Sequence, residues 1–467
     1  MERQIRNVGL FFLACFTILS LGAGYWQVWR GPALAAAAGN PRVQEAEKRA
    51  LRGRILDRDG EVLAKTENGE REYPKPLLAH ATGYYSYRYG STGVERAFDR
   101  YLGGKITGPD LNSWVRRLAG GTRVGADVRL TLDADVQTAA DHALGDRQGA
   151  VVALDVETGA VLAMLSKPYF NPGLVDEEWA RLSQDESRPL YNRVSQGLYV
   201  PGSTFKVITA AAALDSGLMQ TSTMVSDPTG ESTVDGFRIT DAEKPPIPTF
   251  DFAHAFAWSS NVVFADVGLK LGEPRLREYA SRFGIGKALP FELETSPTSL
   301  TRKDSMSRVL LASTAFGQGE LLISPLQMAV VAATVARNGD VPRPFVVDEV
   351  RAPSGTVLYR GEAVTMGRAT SPETARALRN MMTLAVEEGF GRNAAIPGVR
   401  VAGKTGTAQS VPGLPDHSWF IGFAPAGPGE QPRVAVAVIV EYGGWGSLEA
   451  APVARRVMQA ALAAQRR

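Results

Sequence analysis

Tyr199-Val200-Pro201-Gly202-Ser203-Thr204-Phe205-Lys206-Val207-Ile208, continuing through an alanine-rich run to Leu214, is the stretch on which the reading of this chain turns. Pro201 and Gly202 make a sharp turn. The small and apolar residues after them predict a buried helix with Ser203 in its first turn. A helix start offers free backbone N–H groups and the positive end of a dipole, which suits a nucleophile whose target develops negative charge. Lys206 lies three residues on, so its amine projects from the same face as the Ser203 hydroxyl. An amine packed among apolar groups and close to another cation loses its proton near neutral pH and can then take the proton of a serine. Taken alone, Ser-x-x-Lys is better explained by an N-cap and a solvated lysine.

Two partners further along reverse that balance. Ser259-Ser260-Asn261 follows Trp258 in a helical stretch, and Lys404-Thr405-Gly406-Thr407 ends a strand. Each is weak alone, but the three in this order within one domain form a combination that chance rarely produces. The chemistry assigns each part a role. Ser203 attacks a carbonyl, Lys206 accepts its proton, the Ser259 hydroxyl passes a proton toward a leaving amine, and the Asn261 amide holds Lys206 and the substrate backbone. Lys404 keeps the pocket cationic and attracts a carboxylate, to which Thr405 and Thr407 offer hydroxyls, and Gly406 lets the strand approach the substrate. The N–H groups of Ser203 and Thr407 make the expected oxyanion hole.

Around these motifs the chain reads as long, regular elements from Asp127 onward. Residues 128–132 form a strand, Asp133 caps a helix to about Leu144, and 149–155 pairs with 160–165 through Glu157-Thr158-Gly159. After the Ser203 helix the segments are mostly helical. Ser324-Pro325-Leu326-Gln327 and Ser371-Pro372-Glu373 both carry the serine cap and first-turn proline of a helix start. Strands return at 399–404, 418–423 and 433–442, and an amphipathic helix runs from Pro452 to about Ala464. Two strands before a helical insertion and three after it predict an α/β fold of the α+β type, with a mainly antiparallel five-stranded sheet between helices.

The amino-terminal part is different in kind. Val8 to Trp29 contains no charged residue and is long enough to cross a bilayer, with Tyr25-Trp26 and Trp29 placed as an interfacial belt. An uncleaved anchor is the reading adopted, since the run exceeds a signal-peptide core; the small residues at 33–38 keep a cleavable signal as its competitor. Arg3 and Arg6 lie before the segment and Arg30 and Arg42 after it, so charge alone does not orient it. The predicted division is a short cytoplasmic tail (1–7), an anchor (8–29), a linker and stalk (30–125) and a catalytic domain (126–467) outside the cytoplasm. In the stalk, Asp59-Gly60 predicts a hairpin. The aromatics of Gly83-Tyr84-Tyr85-Ser86-Tyr87-Arg88-Tyr89 are read as packing residues of a small irregular module rather than a sugar- or base-binding strip. A net charge of +2 without a dense basic run gives no pointer to nucleic acid, and the single cysteine, Cys15, excludes an intrachain disulfide framework.

On these motifs the chain resembles a class B penicillin-binding protein, a serine D,D-transpeptidase of peptidoglycan synthesis. The likeness extends over the anchor, Arg52-Gly53-Arg54-Ile55, the segment from Gly93-Val94-Glu95 to Leu102-Gly103-Gly104, Asn192-Arg193 and Phe316-Gly317-Gln318-Gly319. Through Tyr73-Pro74 and the tyrosines at 84–89 it is most similar to the short-stalk branch called penicillin-binding protein A. The resemblance implies a D-alanyl-D-alanine stem peptide as substrate, an acyl-enzyme on Ser203, release of D-alanine, resolution by an amine of a neighbouring stem, and acylation by β-lactams. It also implies no metal, no cofactor and a SEDS-family glycosyltransferase partner. The stalk is short for the class, which leaves contacts of longer-stalked relatives without a counterpart. The competing readings are a D,D-carboxypeptidase, a serine β-lactamase, and a β-lactam sensor or non-catalytic wall scaffold. A β-lactamase needs a water-activating base, and no Glu-x-x-Leu-Asn stretch is present to supply it in the manner of one class. A sensor calls for a signalling domain, against the seven residues before the anchor, and a scaffold has no need of all five motif side chains.

Overall fold

The computed structural model describes residues 2–30, 50–106, 122–409 and 413–465. The small-residue run at 33–38 and the connector expected at 39–50 lie outside these, save Ala50, as does the middle of the boundary region between 105 and 126. The charge-free run lies in α1 (Glu2–Gly24), continued by a π-turn at Tyr25–Trp29. Arg3–Gln27 is long and apolar enough to cross a membrane, and none of its apolar window is buried against the rest of the described chain.

β1 (Ile55–Leu56) and β2 (Val62–Glu67) turn back on each other as Asp59-Gly60 predicts, and β3 (Glu70–Glu72) extends the hairpin. β4 (Asp127–Leu130) and α2 (Ala134–Leu144) follow, with the Asp133 carboxylate accepting from the N–H groups of Asp135 and Val136. β5 (Gly149–Asp155) and β6 (Val161–Lys167) form the expected antiparallel pair. After a helix over Val175–Gln184, the insertion carries α3 (Lys206–Asp215), then a hairpin of β7 (Glu231–Val234) and β8 (Phe237–Thr240), α4 (Phe252–Ala257) and α5 (Asn261–Arg282).

α6 (Pro325–Ala336) is buried along its whole length, as a helix apolar on every side must be. Its cap Ser324 accepts from the Gln327 N–H, whereas the Gln327 side chain turns inward and donates to the Phe283 carbonyl at 2.7 Å. β9 (Val347–Arg351), β10 (Val357–Arg360) and α7 (Pro372–Glu387), capped by Ser371, lead to the last three strands. These are β11 (Ala402–Ala408), β12 (His417–Ala424) and β13 (Val434–Val440), and α8 (Ala450–Ala464) closes the chain.

The main sheet runs β11-β12-β13-β5-β6 with every neighbour antiparallel, the predicted joining of early and late strands. It is covered on both faces, which is why β13 reads as an unbroken apolar run. Val434, Val436, Val438 and Val440 pack toward α2 and α8, while Ala435, Ala437 and Ile439 pack toward α6 and the insertion. One of its two edge strands is β11. This strand starts and ends later than the sequence suggests, because pairing to β12 continues through Thr407 with Ser418 and Ala408 with His417. Lys404-Thr405-Gly406-Thr407 therefore lies within the strand rather than at its end. A second sheet, ordered β10-β9-β4-β1-β2-β3, joins stalk strands to strands from the catalytic half, with β1 and β4 parallel. Tyr84 and Tyr89 are packed as predicted, Tyr84 edge-on to Phe170 and Tyr89 stacked on Trp179 at 4.2 Å, whereas Tyr87 is exposed.

Candidate active site

Ser203 does not stand in the α-helix. It occupies a 3-10 turn over Gly202–Phe205 that runs into α3, and the tighter winding has a direct effect. With three residues per turn, side chains three apart eclipse one another, so Lys206 is stacked over Ser203 with Nζ 3.1 Å from Oγ. The turn is locked locally by the Thr204 hydroxyl donating to the Pro201 carbonyl at 2.7 Å. Gly202 holds it against β11: its φ is +56°, and a Cβ there would lie 2.7 Å from the Thr407 carbonyl oxygen. Gly317 supports it from behind, where a Cβ would come within 1.7 Å of the Gly202 oxygen.

The Lys206 side chain is fully buried and its amine meets four oxygens. Two of them only accept: the Ser259 carbonyl at 2.6 Å and Asn261 Oδ1 at 2.7 Å. The other two are the hydroxyls of Ser203 and Ser259, each at 3.1 Å, which can also donate. A neutral amine has two N–H bonds and one lone pair, so this set of partners fits it, with the lone pair left for the hydroxyls. Burial and the neighbouring Lys404 charge hold the Lys206 amine well below the usual lysine range, against an opposing pull from Asp241. Lys404 is 1% exposed, donates to Ser259 Oγ at 2.8 Å, and is brought down to about 7 by burial. Ser259 Oγ thus bridges the two amines.

Ser259 and Ser260 form a break between α4 and α5 rather than part of a helix, and Asn261 opens α5. Ser259 has a φ of +62°, which in a non-glycine residue stores about 1–2 kcal/mol of strain. That turn aims both its carbonyl and its hydroxyl at Lys206. Ser260 becomes the cap of α5, accepting from the Val263 N–H at 3.0 Å, and Asn261 is the first residue of α5. Alternation along β11 puts Lys404 and Gly406 on the face toward the Ser203 turn, where a Cβ on Gly406 would lie 2.8 Å from the Pro201 oxygen. Thr405 and Thr407 are on the other face, and Thr407 Oγ1 accepts from the Gly446 N–H at 3.4 Å. The Thr407 carbonyl accepts from the Gln318 amide at 3.3 Å and lies against Gly202, so it points off the free edge. In a strand the N–H of a residue points to the same side as its C=O, which aims the Thr407 N–H at the same cleft.

The structure therefore brings Ser203, Lys206, Ser259, Asn261 and Lys404 into one contact set, with Thr405, Gly406 and Thr407 along its edge. It also adds groups with no motif spacing to reveal them. Asp241 Oδ1 accepts from the N–H groups of Asn261 and Val262 at 2.6 and 3.0 Å, and the Thr240 carbonyl accepts from Asn261 Nδ2 at 2.8 Å. Glu441 Oε1 accepts from both Tyr199 OH (2.6 Å) and Arg193 Nε (2.9 Å), tying the end of β13 to the segment before Ser203. Trp419 Nε1 donates to the Val200 carbonyl at 3.0 Å. Arg193 and Gln318 stand in the sequence only as marks of likeness; their contacts require the fold. Among the described residues no cluster of three or more His, Cys, Asp or Glu side chains is arranged to hold a metal ion.

Comparison with known proteins agrees with this geometry. Residues 149–459 match the family model of the penicillin binding protein transpeptidase domain, and residues 52–128 match that of the penicillin binding protein A dimerisation domain. The chain is 35% identical to the peptidoglycan D,D-transpeptidase PbpA of Mycolicibacterium smegmatis, across 99% of each chain. It is 31% identical to the peptidoglycan D,D-transpeptidase MrdA of Acinetobacter baumannii over 79% of this chain and 59% of that one. A solved structure of penicillin-binding protein A from M. tuberculosis, a ceftriaxone acyl-enzyme complex, superposes with a TM-score of 0.82 at 34% identity, covering 89% of this chain and 99% of the other. A D,D-transpeptidase domain from Eggerthella lenta gives 0.78 at 33% identity, covering 89% and 99%. With a serine and a buried amine in contact at the edge of the five-stranded sheet, and with likeness to PbpA along its full length, the chain belongs to the penicillin-binding protein transpeptidase family.

Proposed function

We propose that the chain is a peptidoglycan D,D-transpeptidase in which Ser203 is the nucleophile and Lys206 the base that activates it. The observation that carries this assignment is the partner set of the Lys206 amine: two obligate acceptors, two hydroxyls and no carboxylate in contact. The Ser203 hydroxyl gives its proton to Lys206 as Oγ attacks the carbonyl carbon of the penultimate D-alanine. The oxyanion is received by the N–H groups of Ser203 and Thr407. Collapse breaks the peptide bond, and the proton passes from Lys206 through the Ser259 hydroxyl to the departing D-alanine amine. An amine of a second stem peptide then attacks the ester carbon, losing its proton along the same path and freeing Ser203. Lys404 receives the terminal carboxylate from the cleft side of β11; the Thr405 and Thr407 hydroxyls, expected to share it, stand on the other face of that strand. A β-lactam enters the first half of this cycle and stays as the acyl-enzyme.

The apolar helix is a single-pass anchor with the catalytic domain outside the cytoplasm, over the divisions 1–7, 8–29, 30–125 and 126–467. The likeness to class B members supports pairing with a SEDS-family glycosyltransferase through anchor and stalk, testable by co-purification from membranes. The central test labels membranes with a fluorescent penicillin. Native chain gives a covalent band; Ser203→Ala and Lys206→Ala give none. Normal labelling of Ser203→Ala would remove the nucleophile from the proposal. Supplying a second stem peptide as acceptor separates cross-linking from carboxypeptidase hydrolysis: cross-linked product is expected, and hydrolysis alone would replace the assignment with that activity.

A further inference from the structure

We infer that Asp241 is a positioning residue for the general base: from the end of β8 it fixes Asn261 against Lys206 and sets one negative charge beside the buried pair of amines. This rests on the proposed role of Lys206 and extends it to a residue outside the three motifs.

The geometry is specific to the start of α5. Four backbone N–H groups at a helix start need partners from outside the helix. Here Ser260 Oγ takes Val263 N–H, and the Asp241 carboxylate, twenty residues earlier in sequence, takes those of Asn261 and Val262. The adjacent Thr240 carbonyl takes the Asn261 side-chain N–H₂. Residues 240 and 241 thus hold Asn261 by its backbone and by its amide nitrogen. The amide orientation follows: with Nδ2 committed to Thr240, Oδ1 faces Lys206 at 2.7 Å. Removing this clamp frees the acceptor that fixes one N–H of the amine, and with it the direction of the lone pair.

The charge acts in a second way. The ionisable groups facing Lys206 and Asp241 are Lys404 from β11 and Asp227, which accepts from the Ser260 hydroxyl at 3.0 Å and from the Gly230 N–H at 2.8 Å. The remaining surroundings of the amines are neutral: the hydroxyls of Ser203 and Ser259, the Asn261 amide, and the rings of Phe264, 5.5 Å from Lys206 Nζ, and Phe256, 5.7 Å from Lys404 Nζ. Among the described residues Asp241 is the carboxylate that draws Lys206 toward its charged form, while burial and Lys404 push it the other way. Its own carboxyl is pushed up to about 6 by burial and by a hydrogen bond to the carboxyl of the neighbouring Asp227. Two acidic side chains buried side by side cost more than a helix cap requires, which argues for more than capping.

The test measures the rate of acylation of the full detergent-solubilised chain by a fluorescent penicillin from pH 5 to 9, alongside its melting temperature. Asp241→Asn keeps an oxygen that can accept from Asn261 and Val262 and removes only the charge. The acidic fall in rate is expected to move to lower pH by about half a unit or more, since Lys206 then sheds its proton more readily, with the plateau rate within about threefold of native. Asp241→Glu is expected to restore the native position of that fall. Asp241→Ala, which loses cap and charge together, is expected to lower the plateau at least about tenfold. A purely structural Asp241 would change the melting temperature and leave the profile in place. An unmoved or alkaline-shifted profile in Asp241→Asn therefore overturns the inference. Should Asp241→Asn not fold, Asp241→Ser also lacks the charge, keeps an oxygen acceptor and is read in the same way. A loss of all labelling in Ser203→Ala together with an unmoved Asp241→Asn profile would leave the nucleophile standing and remove only the role of Asp241.

Discussion

Replacing Lys404 by methionine should make the protein more stable and less active. The side chain is 1% exposed and its ammonium is held at about 7, against 10.5 for a free lysine. At about 1.36 kcal/mol per tenfold, that gap corresponds to roughly 5 kcal/mol disfavouring the charged form in the folded state. A depressed value gives stability that is present above 10.5 and lost as pH falls toward about 7, so the native enzyme bears the full disadvantage below that pH. Methionine fills similar volume without charge. It forfeits the hydrogen bonds to Ser259 Oγ and the Thr405 carbonyl, about 1 kcal/mol each, and Ser259 Oγ keeps Lys206 as a partner. The net gain is on the order of 2–4 kcal/mol at pH 6 and close to zero by pH 9–10. For a catalytic domain of this size it would appear as a rise of about 4 °C or more in melting temperature at pH 6. Penicillin acylation should fall on the order of 10²-fold, because the cation that helps keep Lys206 neutral and receives the carboxylate is gone. Differential scanning fluorimetry and labelling rates at pH 6 and pH 9 check both halves. A lower melting temperature at pH 6, or the same change at both pH values, would refute the reasoning.

Acylation of the native enzyme should slow progressively on acidification, as Lys206 gains the proton that disables it; rates that stay flat from pH 5 to 9 exclude it as the base. Ser259→Gly relieves the strain of the +62° φ and is expected to raise stability by about 1 kcal/mol while reducing acylation, measured on one sample by melting and labelling. Gly317→Ala drives a methyl to 1.7 Å from the Gly202 oxygen, so a loss of about 3 kcal/mol or more and no labelling are expected; a native melting temperature would contradict that packing. Arg193→Met leaves Glu441 buried without its cation and should cost about 3–5 kcal/mol, with Glu441→Gln in the same background recovering part of it.

Much of this arrangement is legible before any coordinates because it is local. Helix caps such as Asp133, Ser324 and Ser371, the strand runs, and the spacing of Ser203 to Lys206 act over three or four residues, the range over which sequence patterns carry information. The joining of β5 to β13 was also readable, since two early and three late strands of one apolar character have few ways to share a sheet. What sequence misplaces is conformation imposed from a distance. Ser203 is tightened into a 3-10 turn by Gly317 and β11, and Ser259 takes a left-handed backbone because Lys206 and Lys404 converge on its hydroxyl. Asp241, Thr240 and Glu441 lie beyond reach of any spacing rule, as their partners are 20 residues or more away along the chain.

The second sheet has a mechanical consequence. Because β4 is flanked on one side by β1 of the stalk and on the other by β9, an excised catalytic domain beginning at residue 126 would bare a row of unpaired amide and carbonyl groups. Such a fragment should self-associate where the longer chain stays monodisperse. In the intact molecule the same ladder works as a rivet, so the stalk strands and the catalytic body turn as one stiff piece and the groove turns with them.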